Sequence, residues 1–213
     1  MKTTWENVEL FEELVACFAG ATYGVAVDSC TNAIFLSLKY YHDMIANDVL
    51  DNTLVVPSRT YISVPMQCKH AGFDVVFEDI KWEGSYNFRG LPVIDSAQRF
   101  ERNMHIPGSV RCLSFNFKKI LSCGKGGMIL TDSQIMRDWL VRMRYDGRST
   151  EKYGDINNVT VPEIGYHMYM TPETAVRGIE AFYRLLEHEN KMCGVSGRSS
   201  DYGIDLSTLD CFK

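Results

Sequence analysis

The chain predicts an α/β fold built on a mainly parallel sheet. Three observations carry this. Short apolar runs that read as strands recur through the first 131 residues. Between them lie segments whose apolar residues repeat at three and four, the spacing of one helix face. And at residues 28–32 a strand-like piece enters a turn of small polar residues and leaves as a helix. Strands alternating with helices are the pattern of a parallel sheet. The bulk composition agrees. The 213 residues carry 22 Lys plus Arg against 27 Asp plus Glu, a formal net charge of −5, with 46 % apolar and 23 % charged residues. That balance excludes a disordered, collagen-like or coiled-coil chain and suits one domain with a small appendage.

The elements follow in order. Trp5, Val8, Phe11, Leu14, Val15 and Phe18 line one face of a helix that Gly20 ends. Gly24–Val27 is a first strand, Asp28–Asn32 the polar turn, and Ala33 to about Ala46 a second helix. Further strands are expected at Thr53–Val56, Asp74–Glu78, Leu91–Ile94, Val110–Phe115 and Met128–Thr131. Ser63–His70 is a helix if Pro65 sits in its first turn. Ser133–Tyr145 reads as a helix with Ile135, Met136, Trp139, Leu140 and Met143 inward, and Asp146–Gly165 as a long polar loop. Thr171-Pro172-Glu173 is a helix start, with Thr as cap, Pro at the first position and an acid in the first turn. Ala175, Val176, Ile179, Phe182, Leu185 and Leu186 line the face that follows. Residues 1–190 form the folded unit, and 191–213 a loosely held tail.

Several function classes recede. The acidic balance gives no support for broad nucleic-acid binding. No run of about 18 apolar residues is present, and the N-terminal stretch carries acids where a secretory signal has a basic end. Seven scattered cysteines without a CxxC pair read as small buried hydrophobes in a reducing, cytosolic compartment, and no zinc-type cluster is expected.

The candidate chemistry sits at predicted strand ends. Asp28–Asn32 offers backbone amides and hydroxyls that could cradle a phosphate, or serves as a plain helix cap. Asp95 ends a buried strand, where it faces a ligand or caps a helix. Lys118 or Lys119 follows another strand and points to the same edge. Gly124-Lys-Gly-Gly127 is a tight turn. An amine, an acid, a phosphate cradle and an aromatic at Tyr61 are together the needs of pyridoxal phosphate.

Six segments in one order then resemble the DegT/DnrJ/EryC1/StrS family of nucleotide-sugar aminotransferases, over residues 5 to 190. Val27–Ala33 resembles the family's S-G/C-T-x-A phosphate turn, and Pro57–Tyr61 its P-x-x-T-aromatic segment. Ala71–Asp79 is similar to G-A-x-P-V-F-V-D, Ile94–Gln98 to E-D-A-A-Q, Leu113–Lys119 to F-S-F-x-x-x-K, and Gly124–Thr131 to G-E-G-G-x-x-x-T. The resemblance implies a pyridoxal-phosphate-dependent transferase fold of the aspartate aminotransferase type, helices on both sheet faces, in a shortened form with a reduced C-terminal domain.

It also implies roles. Lys119 is the Schiff-base lysine, five residues after Ser114. Asp95 pairs with the pyridine nitrogen, Gln98 approaches the ring hydroxyl and Tyr61 stacks on the ring. Cys30, Thr31 and Ser114 hold the phosphate. Glutamate is the implied amino donor, a keto-sugar nucleotide the acceptor, and a homodimer the working form. A lysine at 119 favours transamination over sugar dehydration. The competing reading is a non-catalytic relative kept as a binding or partner subunit.

Three departures stand out. Between Asn87 and Leu91 the family's extra helix and strand are missing, so the sheet must re-pair or be smaller. The G-x-N-x-R-M segment that reaches a neighbouring subunit's cofactor is Gly165-Tyr-His-Met-Tyr-Met170, with His167 for Asn, a phosphate donor or a structural histidine, and Tyr169 for Arg. The C-terminal domain is largely missing.

Overall fold

Side chains alternate between two apolar layers along the strands, and that alternation sets where the helices lie. Ala26, Leu113, Met128 and Leu130 point into one layer, and Val25, Val27, Cys112 and Ile129 into the other. The computed structural model describes residues 4–45, 52–149, 159–188 and 193–213. Its elements are α1 (Trp5–Ala19), β1 (Tyr23–Val27), α2 (Cys30–Ile45), β2 (Thr53–Pro57), α3 (Ser63–His70), β3 (Asp74–Glu78) and β4 (Tyr86–Asn87). They continue with β5 (Val93–Asp95), β6 (Arg99–Phe100), β7 (Val110–Ser114), β8 (Gly127–Thr131), α4 (Gln134–Met143), α5 (Pro172–Glu187) and β9 (Gly194–Val195). The expected helix end at Ala46, part of the 146–165 loop and the boundary at 190 lie outside the described residues.

Five strands form one sheet in the order β1-β8-β7-β5-β4. β1 and β7 both run antiparallel to β8, and β5 runs parallel to β7. β2 and β3 make a separate parallel pair. The missing strand is replaced by a hairpin. Phe88 N–H donates to Val93 O at 2.9 Å, which folds β4 back antiparallel onto β5. One residue further along, Arg89 bridges Val55 of β2, also antiparallel. The stretch 86–89 therefore fills the gap between β5 and β2 and joins the two sheets. By direction, β1, β2, β3, β5 and β7 run one way and β4 and β8 the other. The sheet is mainly parallel in direction and mixed in its neighbour pairings.

Helices cover both faces. α1 and α5 pack together on one, and α2 and α4 on the other, with α3 against α2. In α1 Val8, Phe11, Val15 and Phe18 of the expected stripe are buried and Trp5 and Leu14 are half-buried, while Cys17 points outward. Gly20 ends the helix in the left-handed region, φ 82°. α5 begins as its sequence dictates: Thr171 Oγ1 accepts the Thr174 N–H, with Pro172 at the first position. Gly178 lets α5 approach the ring of Phe11 on α1. Two inward expectations are corrected. Ile135 is 77 % exposed, because the cap at Ser133 turns the first residues of α4 toward solvent, and Leu186 lies at the exposed edge of the α5 stripe. A buried ion pair between Glu12 and Arg144 ties α1 to the end of α4. Both partners also bond the backbone of Ala26, so neither charge is left uncompensated.

Residues 193–213, expected as a loose tail, instead fold back along the molecule. β9 pairs with β6, Gly84 N–H donates to Gly197 O, and Ser199 N–H donates to Trp82 O. Arg59 Nη1 donates to the carbonyls of Tyr202 and Gly203, and Leu206 N–H donates to Ser58 O. Phe212 rests on Phe77 with ring centroids 5.4 Å apart. Fading helical periodicity pointed to a tail, but strand pairing and isolated backbone bonds leave no such period.

Candidate active site at the strand ends

β1, β2, β5 and β7 finish at one edge of the sheet, and a cleft of about 740 Å³ opens there. The end of a parallel strand is where backbone groups and the following turn are free to meet a ligand. Asp95 is the last residue of β5 and forms part of the floor. It is buried, and its two oxygens are each engaged. Ala97 N–H donates to Oδ1 at 2.9 Å, and Tyr86 O–H donates to Oδ2 at 2.8 Å. Burial raises the carboxyl above its usual range, and these two donors and the Lys119 charge offset only part of that. A carboxylate oxygen accepts two bonds, so Asp95 keeps acceptor capacity toward the cleft.

Lys119 lines the same cleft from the turn that follows β7. Lys119 N–H donates to Asn116 O at 2.9 Å, closing that turn. Lys119 is half-buried, whereas Lys118 beside it is exposed. Both line the cleft, and Lys119 is the less exposed of the two. Burial pushes its pKa down, against the fields of Cys30 and Asp95, which favour the charged form. An amine displaced in this direction is more readily a nucleophile.

The N-terminus of α2 lines the cleft on the same side as the turn after β7. Ser29 caps it, its Oγ accepting Asn32 N–H at 3.2 Å. Cys30 and Thr31 follow in the first turn, whose amides the helix itself does not use. Thr31 Oγ1 lies 2.9 Å from Ser63 Oγ. Gly127 makes this wall possible. A Cβ there would overlap the backbone of Ser29 and Cys30, so only glycine lets β8 run this close to the turn. Burial pushes the Cys30 thiol well up, so it stays protonated and adds no negative charge beside the amides.

Of the remaining expected residues, Ser114, Tyr61 and Gln98 also line the cleft. Tyr61 is 58 % exposed, its ring open at the mouth. Gln98 Nε2 donates to Tyr202 O–H at 3.1 Å, and its Oε1 accepts from Ser196 Oγ at 3.0 Å. His167 stands apart. It is exposed on the 166–170 stretch beside β1, its Nδ1 3.0 Å from Asp146 Oδ1, and it does not line this cleft. Sequence reasoning missed Thr60, Ser63, Trp82, Tyr86 and Tyr202. The inward-outward-inward run Tyr86-Asn87-Phe88 was the available signal for β4.

The donor set fits pyridoxal phosphate. It supplies first-turn amides and hydroxyls for a dianion, a half-buried amine for an aldehyde, and a buried carboxylate with spare acceptor capacity for a protonated ring nitrogen. Among the described residues, no group of three metal-ligating side chains is present.

The comparisons with known proteins agree with this geometry. The model of the DegT/DnrJ/EryC1/StrS aminotransferase family matches residues 1–88 and 97–192. The stretch between, which holds Asp95 and the β4–β5 turn, falls outside both matched parts. The chain is 26 % identical over 239 residues to the spore coat polysaccharide biosynthesis protein SpsC of Bacillus subtilis (strain 168), covering 90 % of this chain and 60 % of that one. Its fold is similar to that of AtS13 from Actinomadura melliaura, with a TM-score of 0.70 at 17 % identity, over 85 % of this chain and 60 % of that one. It is also similar to PseC of Helicobacter pylori, an aminotransferase involved in the biosynthesis of pseudoaminic acid, with a TM-score of 0.67 at 14 % identity over 87 % and 59 %. The chain thus spans about 60 % of the length of these relatives.

Proposed function

The chain belongs to the DegT/DnrJ/EryC1/StrS aminotransferase family, whose cofactor is pyridoxal phosphate, and on that premise we propose that it transfers an amino group from glutamate to a keto-sugar nucleotide in the cytosol. The observation that supports this reading is the convergence of Lys119, Asp95 and the α2 N-terminus, from three distant parts of the sequence, on one cleft.

Bound pyridoxal phosphate supplies an electron sink for the carbon that loses its proton. Asp95 keeps a proton on the pyridine nitrogen, which maintains that sink. The amides of Cys30 and Thr31, with the hydroxyls of Thr31 and Ser114, hold the phosphate, and the positive end of α2 favours its charge. Lys119 Nζ would hold the cofactor through its aldehyde, and as a free amine would take the proton from the α-carbon of the donor. Tyr61, exposed at the mouth, would pack on the cofactor ring. In a homodimer, His167 would face the cleft of the second subunit and add a donor to its phosphate.

Titration of the full chain with pyridoxal phosphate tests this. A yellow band should appear, and borohydride should fix the cofactor on Lys119, located by peptide mass. Glutamate should bleach the band, and a keto-sugar nucleotide should restore it. Lys119→Ala should remove the fixation and lower amino transfer by at least about a thousandfold. Fixation without bleaching by glutamate would instead favour a binding or partner subunit. Fixation that survives Lys119→Ala would overturn the site.

A further inference from the structure

We infer that Tyr86 is a positioning residue for the cofactor's ring nitrogen, acting through Asp95; this assignment rests on the pyridoxal phosphate site proposed above. The hairpin that replaces the missing strand is what brings it there. Tyr86 and Asp95 are direct partners across the antiparallel β4–β5 pair, so their side chains leave the sheet on the same face. The Tyr86 ring is buried, tilted against Trp82 at 5.1 Å and Phe88 at 5.9 Å between centroids. That packing fixes where its hydroxyl can be.

The direction of the hydrogen bonds follows from the chemistry. Ionised Asp95 can only accept, so the single Tyr86 proton goes to Asp95 Oδ2 at 2.8 Å. Thr60 Oγ1 lies 2.6 Å from the Tyr86 oxygen and is itself buried. It therefore donates to Tyr86. The result is a directed chain from Thr60 to Tyr86 to Asp95, running from the turn after β2 across β4 to the end of β5. With Ala97 N–H on Oδ1, each carboxylate oxygen is held by one donor and the carboxylate plane cannot turn. The lone pairs that remain face the cleft in one orientation. The chain also favours the ionised carboxylate in a place where burial disfavours it, and only the ionised form can receive a protonated ring nitrogen. Lys119, Cys30, Cys68, Cys112 and Tyr202 share the electrostatic field of Asp95, but among the described residues only Tyr86 O–H and Ala97 N–H are hydrogen-bonded to it.

Two measurements on the full chain test this. The first follows the Asp95 carboxyl carbon by NMR against pH without cofactor. Tyr86→Phe should raise its proton affinity about tenfold, one pH unit, the scale of losing one charge-assisted hydrogen bond. Thr60→Val should move it the same way by less. Circular dichroism confirms that both variants fold. An Asp95 titration unmoved in both would overturn the Tyr86 assignment, whatever the cofactor does. The second measures dissociation constants for pyridoxal phosphate and for its 1-deaza analogue, which has carbon in place of the ring nitrogen. Tyr86→Phe should shift the acid limb of pyridoxal phosphate binding upward by about one pH unit and leave the analogue's profile in place. An equal change for both ligands would reduce Tyr86 to a wall residue and overturn the assignment. A wild-type chain that binds neither ligand would overturn the site reading itself.

Discussion

On one wall of the cleft, α2, the turn at 114–119 and Gly127 come from segments that each carry their own local signal. On the other, Tyr86, Trp82 and Tyr202 meet from the hairpin strand, the loop before it and the returning C-terminal stretch. The first wall is built by close approach. A glycine opposite a helix start leaves no slack, and what this wall presents to the cleft is backbone fixed by secondary structure. The second is built by side chains packed in a row at tilted angles, Tyr202 on Trp82 on Tyr86, with hydrogen bonds at both ends to Gln98 and Asp95. A fixed backbone wall and an assembled side-chain wall should respond differently to substitution.

The sharpest way to break that contrast is Gly127→Ala. A methyl group there must displace the Ser29–Cys30 backbone, so the whole chain should lose about 3 kcal/mol in urea unfolding, and the proposed binding of pyridoxal phosphate should be lost at the same time. A loss under about 0.5 kcal/mol, the range of neutral surface changes, would show that the first wall has slack. On the second wall, Arg59→Ala removes the donor that pins the carbonyls of Tyr202 and Gly203. It should cost about 1 to 2 kcal/mol, and hydrogen exchange should accelerate over residues 196–203 while β1, β7 and β8 stay protected. Uniform acceleration across the sheet would mean that the walls are one unit.

The smallest effect is expected at the floor, where the two walls meet. Burial raises the Asp95 carboxyl, so the folded chain binds its proton more tightly than the unfolded chain does. Stability therefore falls as pH rises through the folded value, and the ionised group is a cost at neutral pH. Asp95→Asn should stabilise the cofactor-free chain by about 1 kcal/mol near neutrality. The gain should vanish below about pH 4, where the carboxyl is neutral in both states. Thermal unfolding across that pH range reads it, and a gain that persists in acid would assign the effect to packing.

The same contrast explains what could be read from residues alone. The strands β1, β2, β3, β5, β7 and β8 fall within a residue or two of where their apolar runs place them, and α1 and α5 follow from capping and periodicity. Lys119, Asp95, Cys30, Thr31, Ser114, Tyr61 and Gln98 all line the cleft because each ends a strand, opens a helix or lies in the turn that follows a strand, and that is a local property. The rest depends on pairing across long separations. Tyr202 meets Gln98 over 104 residues, and Arg59 meets Gly203 over 144. No window of sequence holds both partners. β4 is only two residues long, too short for periodicity to register. Ile135 and Leu186 were placed inward because a helical stripe has no sharp edge in sequence, whereas a packed helix has one.

The reversal of β4 also bears on the order in which the molecule assembles. Tyr86 and Asp95 are nine residues apart along the chain, joined by one tight turn. A parallel neighbour would need a crossover of a dozen residues or more before it could pair. A hairpin of this size closes in microseconds, ahead of contacts that must wait for distant segments to find each other. The contact between the aspartate at the base of the cleft and its tyrosine is thus short-range along the chain, whereas the lysine, the start of α2 and the closing C-terminal stretch reach the cleft from farther away in sequence.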